Sequence, residues 1–391
     1  MKISNINGLG SFGIYIDDVD LNNITDDEWL EIGRLHLKTL VTIIRGARIN
    51  RATFFNLMKK WGDDRLNWVA YLYAKYPWAD RNFENILNSD AVDLIDKDIC
   101  REFNNIRVGT HPQQFGNMLN VTGMKKNGKR MGIFAEGELL WHSNESGDIC
   151  FTPGIGLLGV KGTTRSATGF MTTTDYYEGV SESFRSELDE MILIHNFTPG
   201  KINPGLNDMQ DNLLYKNMCP FPDTEIPLVI ESPGGIKGLH YSFNTVTGIK
   251  GMSDSDAELV LSEIRKGLEA YTYDHWYKED GDLLLFDNSI VQHRRLGAIN
   301  DRLCYRYAFD YTNIQPKPYR PYSQESFHRK YLNKTEIILS FHIIVVKYRF
   351  DMFLLAKLIV LHYHYSVVTQ ISQPNPLYEL SLIHISEPTR Q

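Results

Sequence analysis

His142, in Leu139-Leu140-Trp141-His142-Ser143-Asn144-Glu145, and His293, in Asp287-Asn288-Ser289-Ile290-Val291-Gln292-His293, are the side chains best suited to hold a redox-active metal. An oxygen-activating Fe(II) centre is bound by two imidazoles and one carboxylate on one face, which leaves three positions for an oxoacid and dioxygen. In the usual spelling the carboxylate stands two residues after the first histidine. Here that position is Asn144, and the carboxylate, Glu145, comes one residue late. Three arrangements remain open. A β-bulge brings Glu145 round to the metal, as bulges beside active sites re-aim side chains; Asn144 supplies a neutral oxygen, or the two histidines stand alone; or there is no catalytic iron. Downstream stand Arg302 and Arg306. A guanidinium meets a carboxylate through two parallel charge-assisted hydrogen bonds, which a lysine cannot reproduce.

These residues need a rigid frame, and the chain around them reads as mainly β with flanking helices. Thr25-Asp26-Asp27-Glu28 is a capping box, and Trp29, Ile32 and Leu35 behind it recur at helical spacing to about Lys38. Leu40–Ile44 reads as a buried strand. Thr53 can cap a second helix with Phe54, Leu57, Met58 and Trp61 on one stripe, ending at Gly62. Residues 63–110, aromatic-rich and mixed in period, read as an insertion or helical excursion able to cover a site. Short β runs follow at 118–121, 132–134, 139–141 and 153–161, with a turn at Asn127-Gly128, a helix at about 174–192 and further strands near 227–248. Ser255-x-x-Glu258 caps a helix carrying Ala257, Leu261, Ile264 and Leu268. Strands at 282–286 and 302–311 follow. In the last of these, Leu303, Tyr305, Tyr307, Phe309 and Tyr311 alternate with Arg302, Cys304, Arg306 and Ala308. A polar, small inner face under an apolar outer one suits a jelly-roll barrel holding an anionic ligand.

Composition fits an enzyme-sized globular chain of 391 residues, 42% hydrophobic and 23% charged. A net charge of -7 argues against a nucleic-acid footprint. Four scattered cysteines without a CxxC pair argue against a zinc ribbon and a disulfide framework and suit a reducing, cytoplasmic setting. The N-terminus lacks the order of a signal peptide. Residues 336–369 are apolar, but Lys347, Arg349, Asp351 and Lys357 interrupt them, so no membrane span is expected.

Leu40–Gly46 with the helix after it, Gly132–Trp141 leading into His142, Asp287–His293 and Arg302-x-x-x-Arg306 together resemble the taurine dioxygenase-like (TauD/TfdA) family of Fe(II)/2-oxoglutarate oxygenases, over roughly residues 1–325. The resemblance implies a double-stranded β-helix (jelly-roll) core, Fe(II), 2-oxoglutarate as cosubstrate, dioxygen and a small polar or anionic substrate that is hydroxylated. It carries His142 and His293 to the metal, with Glu145 or Asn144 as the third donor, and Arg302 to the distal carboxylate of 2-oxoglutarate. Thr168 falls where the family has a hydroxyl on the same carboxylate, with Thr172 as a shifted alternative. Arg306 matches an anionic-substrate position, with a second cosubstrate-binding arginine or a structural arginine as the alternatives. Residues 63–110 then form a lid, and self-association is compatible. Two alternatives stand beside this one: a catalytically inactive jelly-roll binding protein that has lost the full triad, and a halogenating iron site without its carboxylate. Leu380–Arg390 resembles a translated sequencing adapter, so residues 326–391 are read as a non-native tail.

Overall fold

The computed structural model describes residues 1–62, 115, 118–127, 129–132, 138–146, 151–196, 224–297 and 301–315. The chain divides into two compact units, Met1–Phe327 and His328–Gln391, and every described residue lies in the first. The expected lid at 63–110, the connection at 199–222 and the tail at 326–391 fall outside the described residues.

The strands are β1 (Lys2–Asn5), β2 (Ile14–Asp17), β3 (Val41–Ile44), β4 (Leu119–Thr122), β5 (Lys125–Lys126), β6 (Lys129–Arg130), β7 (Leu139–His142), β8 (Gly154–Lys161), β9 (Ser166–Thr172), β10 (Ile192–His195), β11 (Thr224–Pro227), β12 (Val229–Glu231), β13 (Lys237–Leu239), β14 (Val246–Ile249), β15 (Thr272–Trp276), β16 (Leu283–Asp287), β17 (Val291–Gly297) and β18 (Leu303–Phe309). The helices are α1 (Asp26–Thr39), α2 (Arg51–Trp61), α3 (Thr174–Gly179), α4 (Glu182–Glu190) and α5 (Asp254–Leu268). One sheet runs β1-β2-β3-β16-β8-β18-β4 and faces a second, β15-β9-β17-β7. All pairings are antiparallel except β2 with β3. This is the expected jelly-roll core. Phe286 of the first sheet packs on Phe170 and His293 of the second, with ring centroids 5.3 and 4.6 Å apart.

Side-chain alternation assigns each face. On β16, Leu284 and Phe286 enter the layer between the sheets, while Leu283 and Leu285 pack outward under α1 and α2. The same holds on β18: Cys304 and Ala308 face inward, whereas Tyr305, Tyr307 and Phe309 join the outer cluster. In that cluster the Trp29 and Trp61 rings stack at 4.5 Å. Trp29 Nε1 donates to Leu57 O at 2.7 Å, and Trp61 Nε1 to Trp29 O at 3.1 Å. Both indoles are fully buried, so each contributes its apolar area without stranding its N–H. A third cluster gathers Leu188, Leu193, Tyr241, Leu261, Ile264 and Leu268 around α4, α5 and the sheet β11-β10-β14.

Three local expectations need correction. Thr25 and Glu28 do form the capping box of α1, but α2 is capped by Asn50, whose Oδ1 accepts from Ala52 N and Thr53 N; this leaves Thr53 inside the first turn. The cap of α5 is Ser253 rather than Ser255, with Ser253 Oγ accepting from Asp256 N. The helix expected at 174–192 is two helices, because Ser181 takes an extended ψ of 150° and caps α4 anew through Phe184 N. In each case several Ser, Thr or Asn side chains compete for the same free N–H groups, and packing of the apolar stripe decides among them.

Among the described residues no helix is long and apolar enough to cross a membrane. Because the described packing lies within Met1–Phe327, a chain ending at Phe327 is expected to unfold at the same temperature as the full chain in scanning calorimetry. A fall of more than about 4 °C, on the order of 1 kcal/mol for a domain of this size, would assign residues 328–391 a stabilising role.

Candidate active site

His142 on β7 and His293 on β17 are directly opposed across an antiparallel pair, so both imidazoles leave the same face of the sheet. Their ring centroids are 4.1 Å apart. The next pairing is Arg295 with Leu139, so β7 carries one residue more than β17 over this step. The irregularity therefore precedes His142 instead of following it. Its effect is on the imidazole: His142 Nδ1 donates to Leu140 O at 2.7 Å. A carbonyl can only accept, so Nδ1 carries the proton and Nε2 keeps its lone pair. His293 Nδ1 is buried and has no hydrogen-bond partner among the described residues.

Asn144–Ser146 is a turn, not a continuation of the strand. Asn288, at the β16–β17 connection, grips it twice: its Oδ1 accepts from Asn144 N at 2.9 Å, and its Nδ2 donates to Asn144 O at 2.8 Å. Ser143 N donates to Ser242 Oγ at 3.0 Å. His240 Nδ1 donates to Ser289 O at 2.7 Å, so its Nε2 accepts from Ser146 Oγ at 3.0 Å. This cradle holds Glu145 at φ 56°, a left-handed conformation unfavourable for a residue with a Cβ. The Glu145 carboxylate pairs with the Arg306 guanidinium of β18, and both side chains are buried. Among the described residues no three His, Cys, Asp or Glu side chains converge as a metal cluster. Glu145 thus stands on Arg306, and both Glu145 and Asn144 lie on the turn leaving His142.

Arg302, just ahead of β18, enters the same interior. Its Nε donates to Cys304 Sγ at 3.2 Å and its Nη2 to Thr168 Oγ1 at 3.2 Å; Nη2 also approaches Tyr277 OH at 3.4 Å. Nη1 is buried with no acceptor among the described residues. Thr168, not Thr172, is the threonine that meets this arginine; Thr172 Oγ1 donates to Leu9 O. Thr168 is the cross-strand neighbour of Arg295 on β17. Arg295 is two residues beyond His293, so it shares the inner face and is buried there. The guanidiniums of Arg295, from β17, and of Arg302 and Arg306, from the β18 segment, are thus buried.

Residues 5–307 match the taurine catabolism dioxygenase TauD, TfdA family. The chain belongs to this family. No curated protein matches it in sequence. Among solved structures, a taurine dioxygenase from Burkholderia xenovorans is similar over 79% of this chain and 88% of its own, at 16% identity and a TM-score of 0.52. AAD-2, solved in complex with Mn(II) and N-oxalylglycine, is similar over 81% of this chain and 99% of its own, at 16% identity and a TM-score of 0.54. These likenesses show a shared fold. TauD, TfdA membership makes the chain an oxidoreductase of dioxygenase type, and it implies a metal, 2-oxoglutarate, dioxygen and a small-molecule substrate.

The donor set fits those groups. Burial, with the nearby charges of Arg306 and Arg295, holds the His142 pKa down to about 4. Burial, then His142 and Arg306, holds His293 well below the usual histidine range. Both imidazoles are therefore neutral near pH 7, the form that ligates a cation. Arg302 Nη1, a buried cationic donor without an acceptor among the described residues, fits a carboxylate oxygen. Burial, then the Arg302 charge, lowers Arg295 to about 9.

Sequence reasoning missed Asn288, Arg295 and Tyr277. Arg295 was legible, since it lies at i+2 from His293 and must share its face. Asn288 and Tyr277 left no local signal: their partners Asn144 and Thr168 lie 144 and 109 positions away.

Proposed function

We propose that this chain is an Fe(II)- and 2-oxoglutarate-dependent dioxygenase that hydroxylates a small polar or anionic metabolite. The observation that carries the reading is the buried Arg302 Nη1, without an acceptor among the described residues, in the same interior as two opposed neutral imidazoles. His142 and His293 would hold iron, with Glu145 as the third donor and Asn144 as the alternative. Iron with 2-oxoglutarate supplies the oxidising power when bound. The chain's own part is positioning. Leu140 O fixes the His142 tautomer, Arg302 and Thr168 orient the distal carboxylate of the oxoacid, and the apolar layer around Phe170 and Phe286 excludes water. Arg306 is the candidate for an anionic substrate group, which would share or displace Glu145 there. Family membership lends no support to a metal-free binding module.

Anaerobic titration of the protein with Fe(II) and then 2-oxoglutarate is expected to produce a weak visible charge-transfer band from the chelated oxoacid. A folded protein that takes up neither, with no band, would overturn the reading.

A further inference from the structure

A count of protons around Arg302 leads beyond the pair Arg302 and Thr168. A guanidinium has five N–H donors and no acceptor. Nε–H is used by Cys304 Sγ, and the two Nη2 protons point to Thr168 Oγ1 and Tyr277 OH. The two protons on Nη1 reach no acceptor among the described residues. Thr168 Oγ1 and Tyr277 OH lie 3.0 Å apart, and either can donate to the other. Only one can do so at a time. Both oxygens already accept from Nη2, so one hydroxyl proton has no acceptor of its own among the described residues. The cluster thus presents three donor protons, two on Nη1 and one on the hydroxyl pair. All three residues are buried, each 2% exposed, where an unmatched donor is costly. A carboxylate, acceptor-only with two oxygens, matches this excess, whereas an amide or an amine would add donors of its own.

We propose that Tyr277 is a further oxoacid-binding residue, forming with Thr168 an interchangeable hydroxyl pair whose spare O–H completes the clamp on the distal carboxylate. The inference rests on the dioxygenase reading. The Arg302 guanidinium also lies over the Tyr277 ring, 5.3 Å from its centroid, which holds the phenol against the cation. Burial pushes the phenol pKa up, so its proton is retained. Redundancy is the distinctive consequence. If Tyr277 loses its hydroxyl, Thr168 is released to donate to the ligand; if Thr168 loses its hydroxyl, Tyr277 donates instead. Either single change keeps one hydroxyl proton for the ligand, at the cost of one Nη2 proton left without its acceptor, and only the double change removes the hydroxyl donor altogether.

The test is anaerobic calorimetric titration of the Mn(II)-loaded protein with 2-oxoglutarate and, separately, with 2-oxobutyrate, which lacks the distal carboxylate. Tyr277→Phe and Thr168→Val are each expected to raise the 2-oxoglutarate Kd about two- to fivefold. The double variant should lose more than the product of the singles, by about a further tenfold, the worth of a hydrogen bond to a charged group. Binding of 2-oxobutyrate should change little in any variant. Tyr277→Phe with Thr168→Ser keeps one hydroxyl and should bind like Tyr277→Phe alone, which checks the redundancy even if the Val variant folds poorly. Multiplicative losses, an unaffected Tyr277→Phe variant, or equal losses for both oxoacids would overturn the clamp while leaving the dioxygenase reading intact. A wild-type protein that binds neither oxoacid would remove both.

Discussion

Glu145→Gln is expected to destabilise the metal-free protein by about 3 kcal/mol, because removing one partner of a buried ion pair strands the other charge. Arg306 is the stranded group: it is buried, and Glu145 is its recorded carboxylate partner. Urea unfolding measures the loss. A second substitution, Arg306→Met, should recover most of it, since replacing both charges with apolar volume is often neutral. Failure of the double variant to recover would mean that Glu145 stabilises the turn by another route. The same variant tests the metal site. With Glu145 as the third donor, Glu145→Gln should greatly weaken Fe(II) binding, and Asn144→Asp should change it little. The reverse pattern, tighter binding in Asn144→Asp and none of the loss in Glu145→Gln, would transfer the role to position 144, because a hard divalent cation gains far more from a carboxylate than from an amide oxygen. Anaerobic iron affinities, measured where both variants are folded, separate the two, and two silent variants reject either residue as a ligand.

Arg302→Lys should raise the 2-oxoglutarate Kd roughly ten- to a hundredfold, or about 1.5–3 kcal/mol for the loss of charge-assisted hydrogen bonds in a water-poor interior. A lysine keeps the charge but cannot reproduce the fork that reaches Cys304, Thr168 and Tyr277 at once. Iron affinity should be nearly unchanged, since no metal ligand is altered. An equal fall in iron affinity would show that Arg302 supports the barrel instead of the ligand.

The sequence by itself determined whatever follows a short period. Alternation on the last strand assigned Arg302, Cys304 and Arg306 to one face and Tyr305, Tyr307 and Phe309 to the other, and the structure places them so. The stripe Phe54, Leu57, Met58 and Trp61 and the Thr25–Glu28 box were legible for the same reason: helical and strand periods are set by backbone geometry within a few residues. The order and spacing of Leu40–Gly46, Gly132–His142, Asp287–His293 and Arg302-x-x-x-Arg306, taken together, carried the family resemblance. Only the tertiary structure decided what closes between distant segments. The opposition of His142 and His293 depends on the β7–β17 register, with its irregularity before His142. The turn that puts Glu145 on Arg306 depends on Asn288, Ser242 and His240, which come from other parts of the chain. Tyr277 meets Thr168 through the pairing of β15 with β9, and both meet Arg302 only once the two sheets face each other. Such contacts have no local period. They arise because burial leaves each polar atom few partners, and the fold brings the available ones together.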